Sequence, residues 1–101
     1  MIFEWDDAKN RVNRAKHGLW FEEAAEIFNG PMLSYRDLRF DYGEDRTISI
    51  GAIADVVLVV VVHTDRAGVI RIISARLANR KERTLYRASL AEKTGRPEES
   101  R

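Results

Sequence analysis

Lys16, His17, Arg46, His63, Arg76 and Tyr86 are the residues of this 101-residue chain best suited to moving protons or holding phosphate. Together they suffice for one reaction, the cleavage of RNA without a metal. The 2′-hydroxyl attacks the neighbouring phosphorus, a base takes its proton, and an acid protonates the departing 5′-oxygen. Cations hold the pentacoordinate dianion. Histidine is best matched to neutral pH, and arginine offers phosphate a planar fork that stays charged. Residue types alone do not say which group is the base and which the acid.

Other chemistries lack their residues. There is no cysteine, so disulfides, thiolate metal sites and cysteine nucleophiles are excluded, with a lean to a cytoplasmic location. Two histidines 46 positions apart make no convincing zinc site. GxGxxG, P-loop, HExxH and GxSxG patterns are missing, and no acidic pair argues for Mg²⁺. No cofactor or metal is expected. The longest apolar run is far shorter than a membrane span, and MIFEWDDAKN does not read as a signal peptide.

These side chains need a platform, and residues 56–76 supply it. Val56–Val62 is an unbroken run of apolar, mostly β-branched residues, as a strand buried on both faces requires. Asp65-Arg66-Ala67-Gly68 is a turn signal, with Gly68 suited to positive φ. Val69–Arg76 continues as a second antiparallel strand carrying Arg71, Ser74 and Arg76. Cations within so apolar a strand mark either a wetter face or an anion site on a rigid base. The odd separation of Arg71 and Arg76 places them on opposite faces of a regular strand.

Around this hairpin, Ile2–Trp5 is a short strand bringing two aromatic rings to the core, where Trp5 and Trp20 are both assigned. Asp6 caps a helix with Ala8, Val12 and Ala15 as its buried stripe, and Gly18 follows its end. A second helix from Trp20-Phe21 buries Phe21, Ala24, Ala25 and Phe28 and stops at Gly30-Pro31. Met32–Arg36 and Arg46–Ile53 are strands separated by a polar loop, DLRFDYGED. Asn79 and Glu82 form a capping box for a last helix bearing Leu85, Tyr86 and Leu90. Residues 1–92 make one domain and 93–101 a flexible tail. The class is α+β: an N-terminal strand and helix pair, a mostly antiparallel sheet of about four strands, and a C-terminal helix.

Net charge is only +1, yet charge is segregated. Residues 22–45 hold seven acidic and two basic side chains, whereas residues 63–87 hold seven basic ones against Asp65 and Glu82. That basic end is either a solvated helix face near the sheet edge or a modest hint of a phosphate-rich partner, for which His63, Arg71, Arg80 and Arg83 are the expected RNA contacts.

The stretch FEWDDAKNRVNRAKHGLWFEEAAEIFNGP, then RTISIG, then LVVVVHTDRAGVIRIISARLANRKERTLY, resembles the BrnT family of bacterial type II toxins over about residues 2–88. Its most specific pieces are WD…K…N…KHG…FEEA…F and RIISAR…ER…Y. The resemblance implies a RelE-like fold and a ribonuclease that limits translation. It also implies a BrnA-like antitoxin that neutralises the toxin and, through its own DNA-binding domain, lets the complex repress its operon. A dimeric antitoxin would give a hetero-tetramer. Lys16 or His17 of KHG would carry protons, Arg46 and Arg76 would hold the scissile phosphate, and Tyr86 would position or stack a base. The alternative is a non-catalytic module whose cations bind only a protein partner or DNA. No helix-turn-helix pattern favours DNA contact by the chain itself.

Overall fold

The computed structural model describes residues 1–93. Its elements are β1 (Ile2–Glu4), α1 (Asp7–His17), α2 (Phe21–Ala24) continued by a 3-10 turn (Ala25–Asn29), β2 (Leu33–Arg36), β3 (Thr47–Ile53), β4 (Val57–Arg66), β5 (Val69–Leu77) and α3 (Arg80–Lys93). The tail expected over 93–101 lies, beyond the backbone of its first residue, outside the described residues. One sheet runs in the order β1-β5-β4-β3-β2. It has five strands rather than about four, because β1 joins it, parallel to β5. All other pairings are antiparallel. As the apolar run requires, β4 is central. Both hairpin turns use paired positive φ values, at Ala54 and Asp55 and at Ala67 and Gly68, which suits the twist of the flanking strands.

Two apolar layers sandwich the sheet. On one face Phe21, Ala24, Ile27 and Phe28 pack on Val59, Val61, Ile72 and Ala75. On the other, α3 lays Tyr86 and Leu90 over Ile48, Ile50, Leu58 and Val60. Gly51 lets the 3-10 turn approach closely: a Cβ there would stand 2.7 Å from Ile27 Cβ. The helix covering the second face leaves part of it open, and that part carries the cations described below.

The first helix packs differently from its sequence pattern. Val12 is 63% exposed, and Ala8 and Ala15 are also on the surface, while Asn10 and Asn13 are buried. The reason is that α1 packs against the edge of β5 where β1 has ended. There Asn13 Nδ2 donates to Leu19 O and Ala75 O, each at 2.9 Å, and Ala75 N–H donates back to Asn13 Oδ1 at 3.1 Å. The carboxamide thus pairs with the strand much as another strand residue would, satisfying buried backbone groups. Asn10 does the same for the next helix, accepting the Phe21 N–H at 2.7 Å and donating to Glu22. The caps follow their local sequence: Asp6 accepts the Lys9 N–H, Gly18 takes φ +76°, and Asn79 and Glu82 each accept the other's backbone N–H on a side-chain oxygen. Trp5 packs edge-on to Phe21, whereas Trp20 lies at the surface beneath Arg14.

Candidate active site

Register decides which cations meet. Val60 pairs with Arg76 and Val62 with Ser74, but His63 pairs with Ile72 and Thr64 with Arg71. Ile73 is therefore the extra residue of a β-bulge, and the alternation of β5 resets there. Arg71, Ser74 and Arg76 consequently share the open face, correcting the expectation that Arg71 and Arg76 lie on opposite sides. Arg46 precedes β3 on this same face, two residues before Ile48.

Each arginine is held differently. Arg76 makes a two-pronged ion pair, Nη1 and Nη2 donating to Glu82 Oε1 and Oε2 at 2.8 and 2.7 Å. That contact lowers the Glu82 pKa and raises that of Arg76. Glu82 also accepts the Asn79 N–H, so the fork is tied to the capped start of α3. The Arg76 Nε edge has no hydrogen bond among the described residues, whereas Nη1 also donates to Leu77 O at 3.3 Å. Tyr35 and Arg39 stand close enough to act on its charge. Arg46 lies over the Tyr42 ring at 3.9 Å. Arg71 reaches Glu4 at 3.3 Å.

Lys16 and His17 line a groove of about 300 Å³ beside β5, together with Lys9, Val12, Ile73 and Ser74. Ser74 is the open-face neighbour of Arg76, so the last turn of α1 brings both possible proton carriers to the edge of the arginine face. A second groove, of about 520 Å³, runs between β2 and the start of α3 and is lined by Leu33, Tyr35, Asn79, Lys81, Glu82 and Leu85. Arg80 is exposed at that helix start. Arg83 is partly committed, its Nη1 donating to Ala78 O at 2.9 Å.

Two expected site residues belong elsewhere. Tyr86 is 6% exposed in the core under α3, and its hydroxyl donates to Pro31 O at 3.1 Å. Its ring is packed and its proton engaged, so it is no stacking platform. His63 is 2% exposed on the opposite, helix-covered face, edge-on to Phe28. Its Nδ1 donates to Asp65 Oδ1 at 2.7 Å, because an ionised carboxylate can only accept. Its Nε2 meets Ser49 Oγ at 2.8 Å, which in turn meets Ser34 Oγ. The chain Asp65–His63–Ser49–Ser34 is a polar network whose middle, His63 and Ser49, is buried and whose ends, Asp65 and Ser34, reach the surface, and His63 does not reach the RNA candidates.

Sequence reasoning missed the loop between β2 and β3. Asp37, with its side chain fully buried, accepts from Arg39 Nε, Nη2 and N–H and from the Tyr42 hydroxyl. These donors, Arg39 first, hold its carboxyl well below the ordinary range. The loop so built presents Phe40, 70% exposed, edge-on to Tyr42 and hence beside Arg46. Tyr35 and Phe40 are the accessible rings at the site. An Asp followed by Arg and Tyr at two and five positions was the available signal. Among the described residues, no three His, Cys, Asp or Glu side chains cluster to hold a metal ion, and no helix is long and apolar enough to cross a membrane.

A small α+β protein with arginines aligned on one bare sheet face, and Lys and His at its rim, is of the class that handles phosphate-bearing substrates. A family model described as the ribonuclease toxin BrnT of type II toxin–antitoxin systems matches residues 5–82, and the chain belongs to that family. Its fold is similar to the crystal structure of the Brucella abortus ribonuclease toxin BrnT, with a TM-score of 0.65 and 25% identity, over 79% of this chain and 100% of that one. No curated protein matches the chain. Membership makes it a ribonuclease toxin of a type II toxin–antitoxin system, and such toxins are paired with an antitoxin.

Proposed function

We propose that this toxin cuts RNA internally, without a metal, by attack of a 2′-hydroxyl on the adjacent phosphorus, and so limits translation in the cytoplasm. The observation that carries this reading is the bulge at Ile73, which aligns Arg71 and Arg76 on the open face beside the groove holding Lys16 and His17. Arg76, with its end clamped by Glu82, offers its Nε edge to the scissile phosphate. Lys16 or His17 exchanges protons with the attacking and leaving oxygens. Tyr35 and Phe40, rather than Tyr86, stack on the flanking bases. A BrnA-like antitoxin neutralises the toxin by covering these cations, and a dimeric antitoxin yields a hetero-tetramer that meets operator DNA through the antitoxin.

The test is RNA cleavage by antitoxin-free protein in excess EDTA. Fragments ending in 2′,3′-cyclic phosphate, lost in both Arg76→Ala and the Lys16→Ala/His17→Ala double variant, are the expected result. Cleavage that stops in EDTA and returns with a divalent ion would overturn the metal-independent chemistry. Folded protein that binds RNA and never cuts it, alone or with ribosomes, would overturn the enzyme and leave a binding module.

A further inference from the structure

Thr64 and Arg46 share a defect. Thr64 is 2% exposed, and its Oγ1 has no hydrogen-bond partner. Arg46 Nε is likewise buried and has no hydrogen bond that meets the usual geometry. Glu44 Oε2 stands 3.5 Å from that nitrogen, a long ion pair that, after the contact with Arg66, helps hold the Glu44 carboxyl below its usual range but leaves the Nε–H without a well-formed hydrogen bond. The two defects adjoin. Thr47 pairs with His63, so the next residues outward, Arg46 and Thr64, are neighbours across the strands. On the other side of Thr64 stands Arg71. Buried polar groups are nearly always paired, and leaving one unmade is unfavourable. Two orphans on adjacent strands, flanked by a second arginine, therefore point to a missing group.

Its chemistry follows from the donors. Arginine only donates, and the hydroxyl can donate. The missing group must accept from several donors at once and tolerate two positive charges, which describes an oxyanion. Its competitors are weakly engaged with these residues. Glu44 spends its short contact, 2.6 Å, on Arg66, and Glu4 reaches Arg71 only at 3.3 Å. The ring of Tyr42 fixes the plane of the Arg46 guanidinium.

We infer that Arg46, Thr64 and Arg71 form a phosphate subsite distinct from the one at Arg76. This assignment rests on the ribonuclease reading above. Arg76 lies opposite Val60 and Arg71 opposite Thr64, four residues apart along β4, or ~13 Å. One phosphate cannot touch both places, so an RNA strand laid along β4 and β5 puts different phosphates on them. Arg46 then holds a distant phosphate rather than the scissile one, and Thr64 becomes a binding residue. Both orphaned atoms are shut off from solvent, so the phosphate enters with a shift of the Arg46 side chain, the more exposed of the two.

Thr64→Val keeps the shape and removes only the hydroxyl. Binding would be measured with uncleavable 2′-deoxy strands, a dinucleotide carrying one internal phosphate and an octanucleotide. The longer strand's affinity advantage is expected to fall about tenfold in Thr64→Val, while the melting temperature rises because a buried unpaired hydroxyl is gone. Thr64→Ser, which keeps the hydroxyl, restores the advantage. Inorganic phosphate should move the Arg46 Nε–H resonance in the wild type and not in Thr64→Val. Unchanged strand affinities in Thr64→Val would overturn the subsite and leave the orphans as a packing defect. If no RNA is bound or cut at all, the ribonuclease reading has failed, and the phosphate titration still decides: a moving Arg46 resonance keeps an anion site, and a still one removes it.

Discussion

The two faces of the sheet treat polar side chains in opposite ways. On the helix-covered face His63 is more buried than any arginine among the described residues, yet both ring nitrogens are engaged, by Asp65 at the surface and by Ser49 inside. On the open face, Arg46 Nε and Thr64 Oγ1 have no well-formed hydrogen bond, Arg46 Nε keeping only a long ion pair to Glu44, and Arg76 keeps a free Nε edge. A saturated polar group contributes to folding and has nothing left for a ligand. An unsaturated one, held in place by neighbours, is available. Residue type alone would rank them the other way, since histidine is the commoner proton carrier.

The largest effect should come from removing the clamped arginine. Arg76→Ala is expected to slow cleavage by about 10²–10³-fold, the usual loss of one preorganised charge at a phosphoryl-like transition state. It also strands Glu82, so the Arg76→Ala/Glu82→Ala pair should recover stability without recovering rate. Single-turnover cleavage with parallel melting curves separates the two. If Arg76→Ala cuts at the wild-type rate, the open face is not the reacting one.

On the covered face, His63→Ala should do the reverse. It removes one of the two partners of Ser49, which has no exposed surface, and opens a gap beside Phe28, while the exposed Asp65 turns to water. The expected cost is about 2–4 kcal/mol of stability, with cleavage per folded molecule retained. Chemical denaturation reads the first and cleavage normalised to folded protein the second. Unchanged stability with lost cleavage would break the contrast between the faces.

Acid should loosen the open face first. Asp37 and Glu82 both titrate below their ordinary values of 3.8 and 4.5, each chiefly because an arginine bonds to the ionised form, Arg39 and Arg76 respectively. A carboxylate depressed in the folded state stabilises it above the unfolded value and loses that contribution as pH falls through the folded one. Melting temperature should therefore drop below about pH 4. Asp37→Asn should cost about 1–2 kcal/mol at neutral pH, given that Arg39 is 58% exposed, and should flatten the acid limb. A full-depth acid limb in Asp37→Asn would remove Asp37 as its source.

What the sequence revealed was what is local. Asp6, Gly18 and the Asn79–Glu82 box sit within a few residues of the groups they cap. The helical spacing of Phe21, Ala24 and Phe28 states its own face. Asn13 could not be read as buried, because its strand partner Ala75 is 62 positions away. Arg71 lies on the face that strict alternation denies it, because one bulged residue, Ile73, resets the period. Tyr86 and Tyr35 are the same residue type, and only tertiary packing puts one under α3 and the other at the groove. Cations on the second hairpin strand did flag the site, since isolated charges in an apolar strand demand a face that is not covered.

The smallest effect should come from the loop ring. Phe40 is exposed and touches Tyr42, which carries Arg46 on its face, so the ring extends the open face without supporting the core. Phe40→Ala should leave the melting temperature within about 1 °C, as surface substitutions usually do. RNA affinity should fall by about 1 kcal/mol, the low end for one base on one ring. Phe40→Trp should hold or raise it, because stacking needs a ring and not this particular one. Base preference next to the cut, read by sequencing the fragments, should change with both variants if the ring meets a base. If affinity and preference stay fixed in both while Tyr35→Ala alters them, bases stack only in the groove beside α3. The open face would then end at Arg46.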